Sequence, residues 1–139
     1  IEQHFLLNLY YQYRKPLTSL ATSQKIGLIA LNPNEAMRSD KESLEEMIKI
    51  STSMKYTFPY AVDKNHVLAD AFGATKTPHV YLFDKTNKLV FVGSIDDNSA
   101  KEADVKHTFL MDALKEVGSG KVVSVKHSKA LGCSIKRVK

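Results

Sequence analysis

The chain has 139 residues, 43% of them hydrophobic and 25% charged, which is the length and balance of one globular domain with a buried core. Six glycines, four prolines and one cysteine exclude collagen-like, low-complexity and disulfide-scaffold proteins. No apolar run approaches the roughly 18 to 20 residues that span a bilayer, so we expect a soluble protein without a membrane partner. The sequence does not distinguish a cytoplasmic from a periplasmic or exported location.

The formal net charge of +5 is unevenly distributed along the chain. Residues 121–139 carry six basic side chains and no acidic one, which predicts a basic C-terminal tail, packed on or extending from a domain formed by residues 1–120. Such a tail is either solvated or binds an anionic partner. Nucleic acid is not the favoured partner, because the positive charge is not placed among aromatic residues or on a recognition helix.

The start of the chain carries a helix signal and then a strand signal. Apolar residues in segment 1–14 recur at helical spacing, which predicts a helix that is broken near Pro16. A strand over residues 5–13 is the alternative, because this stretch is also rich in residues that favour strands. The apolar run 26–31 has no polar alternation and predicts a parallel strand covered on both faces.

Short elements are predicted in the middle of the chain. Ser39 and Glu42 form a capping-box signature for a helix that reaches Met54. A short strand is predicted over residues 60–62. Asp63 is predicted to cap a brief helix that ends near residue 73, where a glycine follows the last apolar position.

The second half of the chain predicts a hairpin and a long helix. The runs 79–83 and 89–92 are rich in strand-forming residues and flank a polar turn, as in an antiparallel hairpin. Apolar residues over 103–117 share one face of a helix that ends before a Gly-Ser-Gly segment. Strands that alternate with helices and finish in a hairpin predict an α/β fold with a mixed sheet.

Several motifs, in this order, point to one superfamily. The segment 73–78, Gly-Ala-Thr-Lys-Thr-Pro, resembles the loop in which thioredoxin-like proteins carry a cis-proline. Phe58-Pro59-Tyr60, the run 89–97 and Gly132-Cys133-Ser134-Ile135-Lys136 resemble the redoxins of the alkyl hydroperoxide reductase and thiol-specific antioxidant superfamily. The resemblance extends over residues 1–139. It implies a three-layer thioredoxin-like sandwich around a mixed central sheet.

The resemblance implies a thiol–disulfide oxidoreductase or antioxidant redoxin. Such a protein needs no cofactor, acts on a protein disulfide or a peroxide, and is recycled by a thiol reductant. Its Cys-x-x-Cys pair begins the first core helix, where the helix dipole lowers the pKa of the first thiol. This sequence has no such pair, so the resemblance places the dithiol upstream of Ile1 and leaves no catalytic residue in this chain. Whether the chain alone is an enzyme therefore stays open, as does homo-oligomer formation.

The same resemblance predicts a gap in the sheet. In thioredoxin-like proteins the strand before the dithiol lies at the centre of the sheet, so this central strand is expected to be missing from the chain. The strands at 26–31 and 79–83 would then face each other across an empty position, about 10 Å apart. We therefore expect the chain to be part of a larger ordered protein, unless the missing strand is supplied in another way.

Three residues are candidates for the site. The resemblance implies that Thr77, preceding a cis Pro78, pairs through its backbone with an extended substrate. Cys133 is either a redox thiol or a small buried residue that fixes the tail, and the buried role is favoured. The histidines lack the spacing of metal ligands, so no metal site is predicted, and His79 is singled out only because it follows Pro78.

A second hypothesis comes from another class of function. The chain would then be a catalytically silent thioredoxin-like binding module that holds a protein or a polyanion at the proline loop and the basic tail. The absence of a cysteine pair is the feature that keeps this alternative open.

Overall fold

A mixed five-stranded sheet is the centre of the computed structural model, which describes residues 3–6, 14–98 and 100–139. The strands are β1 (Gln3–Leu6), β2 (Ile26–Asn32), β3 (Tyr60–Val62), β4 (Lys76–Thr77), β5 (Val80–Phe83), β6 (Leu89–Gly93) and β7 (Cys133–Ser134). The helices are α1 (Arg14–Ser23), α2 (Leu44–Ser53), α3 (Val67–Phe72) and α4 (Phe109–Gly118). The order in the large sheet is β3-β2-β1-β5-β6, and β4 pairs with β7 in a separate two-stranded sheet.

The centre of the sheet is occupied, contrary to the predicted gap. β1 pairs in parallel with β2, from Gln3 opposite Ile26 to Leu6 opposite Ile29. On its other side β1 pairs antiparallel with β5, with Leu6 opposite Tyr81. The prediction of a missing central strand is therefore wrong, since residues 3–6 supply it.

The helix predicted over residues 1–14 is wrong at residues 3–6 for the same reason. A strand at this position satisfies ladder groups of both neighbouring strands, and this outweighs the helical spacing of a few apolar residues. The alternative strand over 5–13 agrees with the structure at residues 5 and 6. Residues 7–13 lie outside the described part of the chain.

Two strand predictions are confirmed. β2 is a parallel neighbour of both β1 and β3, as its unbroken apolar run predicts. β5 and β6 form the predicted antiparallel hairpin, with a register shift at Leu82/Phe83. Its turn is held by Asp84, whose Oδ1 accepts hydrogen bonds from the backbone N–H groups of Thr86 (2.8 Å) and Lys88 (3.0 Å).

Helix α2 begins later than predicted. Its N-cap is Ser43, whose Oγ accepts a hydrogen bond from the backbone N–H of Glu46 at 3.2 Å. Ser39 and Glu42 lie in turns before the helix. Two Ser-x-x-Glu signatures stand four residues apart, and the local pattern does not choose between them.

The start and end of α3 agree with the prediction. Both carboxylate oxygens of Asp63 accept hydrogen bonds, from the N–H of Leu68 at 3.0 Å and of Ala69 at 2.8 Å. Gly73 ends the helix in the left-handed conformation, with φ of +72°, which glycine adopts without a steric penalty. These contacts fix the start of the loop that leads to Pro78.

Helix α4 begins at Phe109, later than the predicted residue 103. The preceding loop is held by Asp97, which accepts a hydrogen bond from the backbone N–H of Lys106 at 2.8 Å and lies 2.9 Å from Nδ1 of His107. The Lys106 bond, followed by the His107 contact, lowers the pKa of Asp97 to about 2. Asp97 therefore connects the end of the segment that follows β6 with the residues just before α4.

Apolar side chains pack on both faces of β5. Val80 and Leu82 belong to a cluster with residues of α1 and α4, including the fully buried Leu17 and Leu114. Tyr81, which points to the opposite face, packs in a second cluster with residues of α3 and the tail. No helix in the described part of the chain is long and apolar enough to cross a membrane.

Candidate functional site

The candidate site lies at one edge of the sheet. The parallel strands β1, β2 and β3 end at this edge, and β5, which runs antiparallel to β1, begins there. In open α/β sheets, ligands bind outside the carboxyl ends of the strands. Residues 73–79 and 133–137 meet at this edge, and we call them together the proline-loop site.

Within this site, the Thr77–Pro78 peptide bond is cis, as predicted. The residue that precedes the proline is paired: β4 lies antiparallel to β7, with Thr77 opposite Cys133 and Lys76 opposite Ser134. Nζ of Lys76 also lies 3.2 Å from Oγ of Ser134. The chain's own tail therefore occupies the backbone edge that was predicted to bind substrate, and substrate binding by Thr77 and Pro78 stays a prediction.

The side chain of Cys133 is exposed. The favoured sequence-based role, a small buried residue that fixes the tail, is therefore wrong for this residue. Ile135 has that role instead, because it is only 7% exposed and packs with Ala69, Ala74 and Tyr81. The single thiol of the chain consequently points to solvent beside the proline loop.

Polar contacts hold the two residues of the tail that follow Ile135. The backbone N–H of Lys136 donates to Oδ1 of Asn34 at 2.9 Å, in the loop that follows β2. Nε of Arg137 lies 2.8 Å from Oδ1 of Asp70 on α3. This hydrogen bond from Arg137, together with a contact from His66, lowers the pKa of Asp70. Neither Asn34 nor Asp70 was predicted as a contact of the tail, because both are far from the tail along the chain.

His79 adds a neutral imidazole to the site. Its Nδ1 accepts a hydrogen bond from the backbone N–H of Thr75 at 3.2 Å, and its ring lies 4.9 Å from that of Tyr81. Burial lowers the pKa of His79, and the positive form of His127 lowers it further. The hydroxyl of Tyr81 donates to the carbonyl oxygen of Phe72 at 3.3 Å, and burial raises its pKa. Both groups are therefore uncharged at neutral pH.

The space beneath these residues is small. A cavity of about 30 Å³ lies among His79, Tyr81 and Ile135. Such a volume has room for water. Cys133 is not among the residues that line this space, and its side chain is exposed at the surface. No group of three or more histidine, cysteine, aspartate or glutamate residues that could hold a metal ion occurs within the described ranges.

Comparisons with known proteins support the fold. No protein-family model matches the chain, and no curated protein matches it. An uncharacterized conserved protein from Geobacillus kaustophilus has a similar structure, with a TM-score of 0.84 and 26% identity over 99% of this chain and 77% of its own. A hypothetical protein from Sinorhizobium meliloti 1021 has a TM-score of 0.81 and 28% identity, over 99% of this chain and 79% of its own.

A further solved structure identifies the class of fold. It is that of a thioredoxin-like protein in its oxidized form, with a TM-score of 0.63 and 18% identity over 86% of this chain and 80% of its own. At this identity the likeness concerns the fold. The chain therefore has a thioredoxin-like fold, as the resemblance in the sequence predicted.

Proposed function

We propose that the protein is a thioredoxin-like thiol–disulfide exchange protein whose reactive thiol in this chain is Cys133. The observation that carries the proposal is the register of β4 and β7, which sets the exposed Cys133 opposite Thr77 and next to Pro78. The exposure of Cys133 favours a substrate that presents its disulfide at the surface, such as a protein or a small exposed disulfide.

The proposed reaction needs one protein thiol and two outside partners. The thiolate of Cys133 attacks one sulfur of a substrate disulfide, forming a mixed disulfide and releasing the other substrate sulfur as a thiolate that takes up a proton. A thiol reductant then attacks the substrate sulfur of the mixed disulfide, which releases Cys133 as a thiolate and joins the reductant to that substrate sulfur. A second reductant thiol attacks the reductant sulfur of this new disulfide, which releases the second substrate sulfur as a thiolate that takes up a proton and leaves the reductant as a disulfide. Two electrons thus pass from the reductant to the substrate.

Cys133 replaces the dithiol that was predicted upstream of Ile1. In this topology a dithiol at the start of the first helix would follow β1, and residues 7–13, between β1 and α1, contain no cysteine. The proposal keeps two finer parts of the original hypothesis. The redoxin class is supported by the motif that contains Cys133, and the three-layer arrangement is supported by the clusters on opposite faces of β5.

A catalytically silent binding module is the second candidate. The presence of a single cysteine favours it, because one thiol cannot complete an internal dithiol cycle. In this version the proline-loop site holds a protein without exchanging sulfur. The two candidates differ in one measurable property, the reactivity of Cys133 in the folded protein.

That reactivity is measured with an aromatic disulfide, 5,5′-dithiobis(2-nitrobenzoic acid), which releases one coloured thiolate per exchange. We expect native Cys133 to react about tenfold faster than the same thiol in the urea-unfolded chain. Added thiol reductant should regenerate Cys133 and sustain turnover. A native rate at or below the unfolded rate would contradict exchange and favour the binding module.

A matched variant separates position from simple exposure. Cys133→Ser removes the thiol, and Ser134→Cys in that background moves it by one residue on the same exposed strand, opposite Lys76 instead of Thr77. Because Nζ of Lys76 lies 3.2 Å from Oγ of Ser134 and would activate a thiol there, Lys76→Met is added to the variant with the moved thiol. We then expect the moved thiol to react at about the unfolded rate. The native protein and this variant, each treated with hydrogen peroxide, distinguish a disulfide substrate from a peroxide, since peroxide chemistry would consume the native thiol faster than the moved one.

A further inference from the structure

A wide groove lies at the end of β5 opposite to the proline-loop site. It is formed by the hairpin turn 84–88, strand β6, the end of α4 and the segment 120–126, and its volume is about 630 Å³. This volume is in the range of about 300 to 1,000 Å³ that is usual for small-molecule sites. The run from Pro78 to Asp84 separates the two ends by roughly 20 Å, at about 3.3 Å per residue.

The floor of the groove is apolar and exposed. Leu89 is 42% exposed and Val122 is 78% exposed, and both line the groove beside the buried Val123. Single exposed apolar residues are ordinary on a protein surface. Here they share one concave surface, which is typical of a site that binds an apolar group.

The rim of the groove is strongly basic. Its lysines, none of which forms an ion pair with a described residue, are Lys25, Lys85, Lys88, Lys121 and Lys126. The carboxylate among the lining residues is Asp84, and its Oδ1 is bonded to the hairpin turn. Five lysines and one aspartate leave a net charge of +4 here, against +5 for the whole chain.

We propose that this groove binds an amphipathic anion, a single aliphatic chain with a phosphate or carboxylate head. The lysines would hold the head and the exposed floor would cover the chain. A purely polar anion would leave Leu89 and Val122 in water. Nucleic acid fits less well, because Phe91, the aromatic residue among those described as lining the groove, is fully buried and offers no stacking surface.

Three probes test the two halves of the site. The binding of monomeric decyl phosphate to the protein is measured by calorimetry, below the micelle concentration of the probe. The same measurement is made with inorganic phosphate and with decyltrimethylammonium. We expect decyl phosphate to bind at least about tenfold more tightly than either, and its affinity to fall as salt rises. Equal affinity for inorganic phosphate would reduce the site to an adventitious ion only, and equal affinity for the ammonium probe would reduce it to unspecific apolar contact. Either result would overturn the proposal.

A charge-matched pair of variants locates the binding. Lys85→Glu with Lys121→Glu changes two exposed rim lysines, and Lys101→Glu with Lys129→Glu changes two exposed lysines outside the groove by the same net charge. We expect at least a tenfold loss of decyl phosphate affinity in the first pair and an unchanged affinity in the second, with both proteins folded by circular dichroism. Equal losses would show that net charge alone attracts the probe and would overturn the site.

A membrane surface is the competing source of the same chemistry. Vesicles of phosphatidylglycerol, sedimented with the protein, separate the two. Binding to vesicles without binding to monomeric decyl phosphate would overturn the proposal, because a flat lipid surface does not need the concave floor. Binding of monomeric decyl phosphate at a concentration equal to or lower than the lipid concentration needed for vesicle binding supports the proposal.

Discussion

The two ends of β5 are built in opposite ways. At the proline-loop site the tail is held by a short strand pair, a buried Ile135 and an ion pair to α3, and the remaining cavity is about 30 Å³. At the other end a groove of about 630 Å³ is lined by five lysines. The tail covers the first end, which we call the closed end and which presents one exposed thiol. The second end, which we call the open end, presents charge and apolar surface. The contrast is the basis of the two proposals, thiol exchange at the first end and ligand binding at the second.

Removing the anchor of the tail should have the largest effect. We expect Ile135→Ala to lower the free energy of unfolding by about 2 to 3 kcal/mol, because a buried aliphatic side chain is lost and a cavity remains. At the open end, Val122→Ala should change it by less than about 0.5 kcal/mol, because Val122 is 78% exposed. Urea denaturation measures both. Similar values for the two variants would contradict the distinction between a closed and an open end.

The second largest loss of stability is expected from removing the partly buried hydrogen bond between Lys136 and Asn34. Asn34→Ala removes the acceptor of the Lys136 N–H and should cost about 1 to 2 kcal/mol, since that donor loses its partner in a partly buried place. Thr86→Ala removes an exposed hydroxyl contact to Asp84 at the other end and should cost less than about 0.5 kcal/mol. Equal costs in urea denaturation would mean that the Asn34 contact is no more protected from water than the hairpin turn.

Two glycines, one near each end of β5, should lose the same amount of stability when each is changed to alanine. Gly73 and Gly120 both have φ of +72°, and an added Cβ at either would meet nothing within 4 Å. Each change to alanine therefore imposes only the left-handed backbone penalty, about 1 kcal/mol. A much larger loss for Gly73→Ala, measured by thermal or urea unfolding, would show that the proline loop depends on this position beyond its backbone angle.

The smallest expected effect is the pH dependence due to His79. Burial lowers its pKa in the folded protein, so the unfolded chain takes up the proton first as the pH falls below the ordinary value of about 6.5. The stabilising contribution is therefore complete above about pH 6.5 and is lost as the pH falls toward the lowered folded pKa. His79→Asn should give a flatter fall in unfolding free energy between about pH 7.5 and 5.5 than the native chain. Identical slopes would contradict the burial of this imidazole.

Local signals in the sequence predicted much of the fold. The apolar run of β2, the polar turn of the hairpin and the glycine at the end of α3 each depend on neighbours a few residues away. β1 was predicted only as an alternative, over residues 5–13, because its identity depends on the two strands that flank it and not on its own spacing. The start of α2 was misplaced because two equivalent capping signatures follow each other directly, and the helix uses the second, with Ser43 as its N-cap.

The site was predictable only in part. The cis Pro78 was predicted from the loop that precedes it, and His79 was noted from its place in the chain. The exposure of Cys133 was not predicted. The path of the tail is set by Ile135 and by Asn34, and Asn34 is 102 residues from its partner Lys136. The lysine rim was also missed, since its members come from three separate segments and gather only in the folded chain.

The juxtaposition of Cys133 with the proline loop is tested most directly by NMR. Cys133 is converted to a mixed disulfide with a small aliphatic thiol, and backbone amide shifts are compared with those of the free protein. The structure predicts changes at residues 75–79 and 133–135, with none at residues 84–88 and 121–126, where the lysine groove lies. Changes confined to residues 128–139, with the proline loop unaffected, would contradict the pairing of Thr77 with Cys133 and with it the proposed exchange site.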